Sequence, residues 1–145
     1  MNPKVRESIT ILMMKNDSTV DFLQEWLDKK KWNSMEAIGV ASVVANVYNG
    51  IETVLELLVR KVHGITISGA EFHKTLLTTA DDLGYIPIDI ISIMSGMRDF
   101  RHFKRHGYDI ELEPDQVRAY APQAIVAHRA VAGRILEKHP ELREE

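Results

Sequence analysis

Apolar side chains recur along this chain at spacings of three, four and seven residues, from one end to the other. The longest such series runs from Ile38 through Tyr48 and Leu55 to Val62. This spacing places apolar side chains on one face of an α-helix, whereas a half-buried strand requires alternation of apolar and polar residues. The sequence shows no such alternation. It therefore predicts an all-α fold, an up-and-down bundle of four to five helices with short connections.

A few polar and conformationally special residues predict where helices begin, end or approach one another. Asn33, with Glu36 three residues later, resembles a capping box at the start of the longest helix. Gly64 is a natural end for that helix, since glycine tolerates the left-handed conformation that follows many helices. Gly50 lies in mid-helix, where it costs roughly 1 kcal/mol relative to alanine, and a close approach of another helix or protomer would explain it. Pro122 is expected to kink the last helix or to restart it.

Length and composition restrict the class of protein. The 145 residues are most simply one helical domain over residues 1–145. The formal net charge of −3 argues against a protein that coats nucleic acid generally, so any such contact has to come from a local cationic patch. The absence of cysteine excludes disulfides and thiolate sites. No uninterrupted stretch approaches 18 apolar residues, and we expect a soluble, cytoplasmic protein without a membrane partner.

A local cationic patch lies at residues 98–108, which read RDFRHFKRHGY. Arg98, Arg101, Lys104 and Arg105 supply positive charge, and a planar guanidinium can bind two oxygens of one phosphate. The histidines between them titrate near neutral pH and can transfer protons. A cationic group with an imidazole is a minimal set for cleaving RNA without a metal ion. The same composition also suits a solvated helix C-terminus, where the helix dipole favours cations.

A metal site is another interpretation of the two histidines in this patch. His102 and His106 are four residues apart and could share one helix face, which is the spacing of a metal-binding pair. The only D/E-x-x-H arrangement begins at Asp99, and a dimetal site in a helical bundle needs two such motifs with further carboxylates. The neighbouring cations would also repel a dication. The sequence therefore predicts neither a metal site nor a cofactor, and a metal-dependent bundle enzyme is the third-ranked function.

Helix geometry limits how Arg101 and His106 could act on one phosphate. They are five residues apart, which in a regular helix places them about 140° apart around the axis. Both can face the same phosphate if the helix ends between them or if the site joins two copies of the chain. Gly107 favours the first arrangement and a two-fold dimer supplies the second. The two arrangements are compatible.

The segment from Arg101 to Tyr108 spells R-x4-H-x-Y, and two other segments accompany it in a fixed order. These are VYNGIE at 47–52 and EFHKTLL at 71–77. Together they resemble the HEPN superfamily, and within it the HepT-like ribonuclease toxins of prokaryotic HEPN–MNT toxin–antitoxin pairs. The resemblance extends over roughly residues 35–120 and concerns only the pattern of the helices elsewhere.

This resemblance implies a helical bundle that forms a homodimer and cleaves RNA, without a metal ion, at a site shared between two protomers. It implies that Arg101 binds phosphate and stabilises the transition state, and that His106 transfers the proton. It also implies a type VII-like system, in which a cognate MNT-type nucleotidyltransferase antitoxin silences the toxin, either by adenylylating Tyr108 or by occluding the site. The added bulk and negative charge would lie where RNA phosphate has to bind. Lys104 departs from the pattern, since relatives carry an aromatic residue at this position.

Five residues are expected to support RNA binding around this pair: Arg98, His102, Lys104, Arg105 and Glu52. Glu52, on a neighbouring helix, could orient Arg101 or His106, or could be an exposed helix glutamate. His73 is expected to be a packed or capping histidine rather than a catalytic one. The alternative function is that of a non-catalytic HEPN module. Such a module either binds a nucleotide or presents a substrate to a nucleotidyltransferase partner.

Overall fold

The computed structural model describes residues 1–105 and 113–143, with the backbone alone for residues 101–105. It is 82% helical, with five α-helices and no strand among the described residues. This confirms the predicted all-α bundle. The helices are α1 (Pro3–Asp28), α2 (Ser34–Leu57), α3 (Phe72–Asp82), α4 (Ile91–Arg105) and α5 (Pro114–Lys138).

Helix α2 is the centre of the bundle, and it packs against each of the other four helices. Its apolar residues therefore surround the helix instead of occupying a single narrow stripe. Among the described helices, only the stretch Ser34–Val62 is long and apolar enough to cross a membrane by length and composition. Its most apolar window has a mean hydropathy of 1.3, and 56% of that window is buried inside the bundle. The core helix of a soluble protein has the same properties, so this is weak evidence for a membrane span.

The ends of α2 follow the predictions made from the sequence. Asn33 accepts a hydrogen bond from the backbone N–H of Glu36, and the Glu36 side chain accepts one from the N–H of Asn33, so the capping box is confirmed. The last turn of the helix widens into a π-helical turn at Leu58–Val62. Gly64 follows with a φ of 69°, a left-handed conformation that favours glycine. The chain then runs without a helix until α3.

The predictions for Gly50 and Pro122 have different outcomes. A Cβ atom at Gly50 would lie 2.1 Å from Oδ1 of Asn16 on α1, which confirms the expected close approach of another helix. Pro122 lies inside α5, which continues from Pro114 to Lys138 as one helix. The alternative in which Pro122 restarts a helix is therefore wrong, because packing of α5 against α1 and α2 outweighs the loss of one backbone hydrogen bond.

A buried tyrosine connects the ends of α2 and α5. Tyr85 lies in the turn after α3 and is fully buried. Its hydroxyl lies 2.6 Å from Nε2 of His63 and 2.6 Å from Nε2 of His139. The phenol has a single hydrogen to donate, so at least one of the two imidazoles donates to its oxygen. Burial raises the pKa of Tyr85 to about 12, with a smaller contribution from the negative charge of Glu141.

The central position of α2 predicts a large difference between two leucines on that helix. Leu55 is fully buried, whereas Leu57 is only partly buried. Leu55→Ala should lower the free energy of unfolding by about 3 kcal/mol, because a cavity remains in the core. Leu57→Ala should cost clearly less. Urea unfolding of both variants at one protein concentration measures the difference, and equal losses would contradict the central placement of α2.

The network around Tyr85 predicts a loss of stability in alkali. A phenol with a raised folded pKa stays protonated while the unfolded chain already ionises, so its contribution is fully present below pH 10 and is lost as the pH rises towards about 12. Absorbance titration of tyrosinate should show a late step that coincides with unfolding. Tyr85→Phe should reduce the amplitude of that step by one tyrosine, whereas Tyr120→Phe, at a partly exposed tyrosine, should leave it unchanged. An unreduced late step in Tyr85→Phe contradicts the assignment.

Candidate functional site

The structure describes some of the residues predicted for the site and leaves others outside. Arg98 lies on α4 with its side chain partly exposed, and it pairs loosely with Asp99 at 3.6 Å. Position 101 is also on the described backbone of α4. The side chains of Arg101, His102, Lys104 and Arg105 lie outside the described residues, as do His106 and Tyr108 entirely. Their predicted roles therefore stay predictions.

The register of α4 nevertheless determines which helical face carries position 101. Met94 and Met97 are both buried in the core. Position 101 follows them by seven and four residues, so it lies on the same face of the helix. That face is turned into the bundle, where α4 packs against α2.

Helix α2 carries a buried carboxylate. Glu52 is only 7% exposed, so the interpretation of Glu52 as an exposed helix glutamate is wrong. Its Oε2 accepts a hydrogen bond of 2.8 Å from the hydroxyl of Tyr48, one turn earlier on the same helix. The same oxygen lies 2.7 Å from Nδ1 of His73 on α3. An ionised carboxylate can only accept hydrogen bonds, so Nδ1 of His73 carries the hydrogen.

This arrangement orients the His73 imidazole. A carboxylate that accepts the hydrogen of Nδ1 selects the tautomer protonated at Nδ1. Nε2 is then the basic nitrogen of the neutral ring. The Phe72 ring also packs edge-on against the imidazole, with ring centroids 5.4 Å apart. His73 is thus a packed histidine, as expected, with its side chain still 34% exposed. What the expectation missed is that its partner is the buried Glu52.

His73 lies at the edge of a shallow cavity of about 250 Å³ between the start of α3 and the second half of α4. Lys74 and Arg98 supply two cationic side chains to its wall, and Glu71 supplies one carboxylate. An imidazole next to two cations is suited to hold an anion such as a phosphate group. The cavity therefore places Arg98, which the sequence predicted to support RNA binding, beside His73 and Lys74.

Sequence reasoning did not select Tyr48 or Lys74, although both lie in segments that carried the family resemblance. Tyr48 belongs to VYNGIE, and Lys74 belongs to EFHKTLL. The sequence contains these residues in two separate segments, and only the fold brings the segments together. Within the described ranges, no group of three or more histidine or acidic side chains is placed to hold a metal ion.

The buried carboxylate leads to a prediction that uses two glutamates one turn apart. Glu52→Ala should lower the free energy of unfolding by about 2 kcal/mol, because Tyr48 and His73 both lose a buried acceptor. Glu56→Ala removes only a partly exposed ion pair with Arg60 and should cost well under 1 kcal/mol.

Two measurements check this pair. Urea unfolding gives the stabilities. Nitrogen NMR of the neutral His73 imidazole should show hydrogen on Nδ1 in the unaltered protein and a shift towards Nε2 in Glu52→Ala. An unchanged tautomer would contradict the contact between Glu52 and His73.

Of three comparisons with known proteins, one identifies a family and two find no match. No curated protein and no solved structure matches the chain. The family model described as HepT-like protein matches residues 39–137, which is well over half of the chain and includes α2 through α5 apart from the outermost turns. This confirms the resemblance noted from the sequence. The chain belongs to the HepT-like family of the HEPN superfamily.

Proposed function

We propose that this protein is a metal-independent endoribonuclease that acts as the toxin of a type VII-like HEPN–MNT toxin–antitoxin pair. Membership of the HepT-like family supports a HEPN-type domain, a class that often contains ribonuclease toxins. The observation that carries the proposal is the junction of α2, α3 and α4. There the buried Glu52 holds His73 beside Lys74 and Arg98. Arg98 lies on α4, about one turn before position 101.

The reaction is an internal transesterification of RNA. The ribose 2′-oxygen attacks the neighbouring phosphorus, the new 2′-O–P bond forms and the P–O5′ bond breaks. The 2′-OH proton passes to a base, and the 5′-oxygen leaves with a proton from an acid, so no redox partner is needed. In this proposal His106 transfers protons. Arg101 binds the phosphate and stabilises the charge that develops on its oxygens.

The proposal includes a homodimer. Arg101 and His106 of one regular helix would diverge by about 140°, so two protomers that meet at this end of α4 allow an arginine of one to serve the phosphate approached by the histidine of the other. The supporting cations Arg98, Lys104 and Arg105, with His102, would add positive potential around the scissile phosphate. Glu52 contributes to the proposed site indirectly, because it holds His73 in position.

Regulation by a cognate MNT-type nucleotidyltransferase completes the proposal. Adenylylation of Tyr108 would place a phosphate and a nucleoside two residues from His106. The added negative charge would repel the RNA phosphate and the added bulk would occupy its position. Both effects act on substrate binding, and neither requires a change in the helical fold.

The proposal predicts RNA cleavage in the presence of excess EDTA. The unmodified protein should produce 2′,3′-cyclic phosphate and 5′-hydroxyl ends. Arg101→Ala and His106→Ala should each reduce the rate by roughly 100-fold or more, since each removes transition-state stabilisation or proton transfer. Arg129→Ala, at an exposed arginine on α5, is the matched control and should retain full activity. Helical circular dichroism and the dimer should be unchanged in all variants.

Two outcomes would overturn the catalytic proposal. One is cleavage that EDTA abolishes, because the reaction then depends on a metal ion. The other is a dimeric protein, unmodified at Tyr108, that cleaves none of a broad set of RNAs. In that case the chain is a non-catalytic HEPN module that binds a nucleotide or presents a substrate to a nucleotidyltransferase.

A further inference from the structure

A second groove, of about 240 Å³, follows the seam between α3 and α4. Its wall on α3 is one helical face, because Lys74, Leu77 and Asp81 follow one another at spacings of three and four residues. Ile91 and Arg98 mark the two ends of the wall on α4, also seven residues apart. Each wall therefore extends over two helical turns, a length of about 10 Å.

The positive and negative charges of this groove lie at its opposite ends. Lys74 and Arg98 also line the cavity beside His73, so the two cations lie together at that end of the seam. Asp81 follows Lys74 by two turns of α3 and lies at the opposite end, near Ile86 and Ile91. The groove is thus cationic where it meets the candidate site and carries a carboxylate about 10 Å away.

The charged groups at the two ends are available to a ligand. Within the part of the chain that the structure describes, neither Lys74 nor Asp81 forms an ion pair. They are too far apart along α3 to pair with each other. Arg98 has only the loose contact with Asp99 at 3.6 Å. A ligand with an anionic end and a hydrogen-bond-donating end would satisfy both ends of the groove.

Between these ends the groove is apolar. Leu77, Ile91 and Met94 line this part. Met94 is fully buried, whereas Ile91 is partly exposed and Leu77 keeps a small exposed area. Exposed aliphatic side chains pack favourably against the face of a flat ring, because both surfaces are removed from water. Ser95 is half-buried and adds a hydroxyl to the wall on α4. The order of anion site, apolar floor and carboxylate corresponds to the phosphate, the base ring and the outer base edge of one nucleotide.

We propose that this groove binds one nucleotide of the RNA substrate, and that it selects guanine. The phosphate lies between Lys74 and Arg98, the base packs on Leu77 and Ile91, and the Asp81 carboxylate accepts hydrogen bonds from the Watson–Crick edge. The inference rests on the proposed ribonuclease function and adds a specificity-determining subsite to it.

The choice of guanine follows from the acceptors that a carboxylate presents. Guanine has two adjacent donors, N1–H and the N2 amino group, which match the two oxygens of Asp81. In adenine and cytosine, an unprotonated ring nitrogen lies beside the single amino group. The lone pair of that nitrogen would face a negatively charged oxygen of Asp81. Uracil places its one N–H between two carbonyl groups, with the same repulsion. A site built for paired donors rejects bases that lack them.

Binding of nucleoside monophosphates tests the groove without relying on catalysis. The probes are 5′-GMP, 5′-AMP and guanosine, titrated into the full-length protein and followed by NMR shifts of Thr78, Ser95 and Met94. GMP should bind more tightly than AMP. Lys74→Ala and Arg98→Ala should each weaken GMP by roughly 10-fold while leaving guanosine nearly unchanged.

Two neighbouring aspartates provide the matched pair for base selection. Asp81→Asn should bring GMP and AMP to similar affinities. Asp82→Asn, at an exposed aspartate that does not line the groove, should keep the preference for GMP. Lys61→Ala, at an exposed lysine outside the groove, is the control for Lys74→Ala. Ser95→Phe, which fills the groove, should abolish binding of both nucleotides.

RNA cleavage separates the two proposals. If the protein cleaves RNA next to guanosine and Asp81→Asn relaxes that preference, both stand. If RNA is cleaved but GMP and AMP bind equally, or Asp81→Asn and Asp82→Asn behave alike, the guanine subsite is overturned and the ribonuclease remains. If no RNA is cleaved but GMP still binds through Lys74, Arg98 and Asp81, the ribonuclease proposal fails and the nucleotide site stands.

Discussion

The buried carboxylate of Glu52 is the interaction on which the candidate site depends. An ionised carboxylate inside a helical bundle costs several kcal/mol unless hydrogen-bond donors surround it. Tyr48 supplies one donor from the same helix, and His73 supplies another from α3. Because the second donor comes from a different helix, the need to satisfy this carboxylate ties α3 to α2. The residue after His73 is Lys74, so the same contact also positions the start of the α3–α4 groove.

The bundle separates this polar junction from a second one at the ends of α2 and α5. There Tyr85, His63 and His139 form a hydrogen-bonded group around a phenol, with no net charge required. Burial keeps that phenol protonated far above neutral pH. The Glu52 junction differs because it holds a charge next to open cavities lined by cations. The Tyr85 group connects chain segments, whereas the Glu52 junction also lies where an anionic ligand can bind.

The distribution of charge is consistent with the proposed local binding of RNA. The chain is acidic overall, with a net charge of −3, so its surface does not attract polyanions generally. The described cations Lys74 and Arg98 meet at one end of the α3–α4 seam, and carboxylates at Glu71 and Asp81 lie on either side. In the proposed complex, this flanking negative charge would restrict a phosphate to the position between the two cations. Such a site would favour one placement of an RNA strand over many.

The sequence by itself determined the fold class, the family and several helix ends. Apolar periodicity indicates helices because each helix has to bury a face, and the Asn33–Glu36 cap depends only on residues three apart. Local patterns could not show that Glu52 is buried, that α5 continues through Pro122, or that His73 and Lys74 lie beside Arg98. Those facts depend on how α2, α3 and α4 pack, and side chains 21 residues apart, such as Glu52 and His73, meet only through that packing. Tertiary structure alone decided them, because burial and long-range hydrogen bonding are properties of the assembled bundle and not of any single helix.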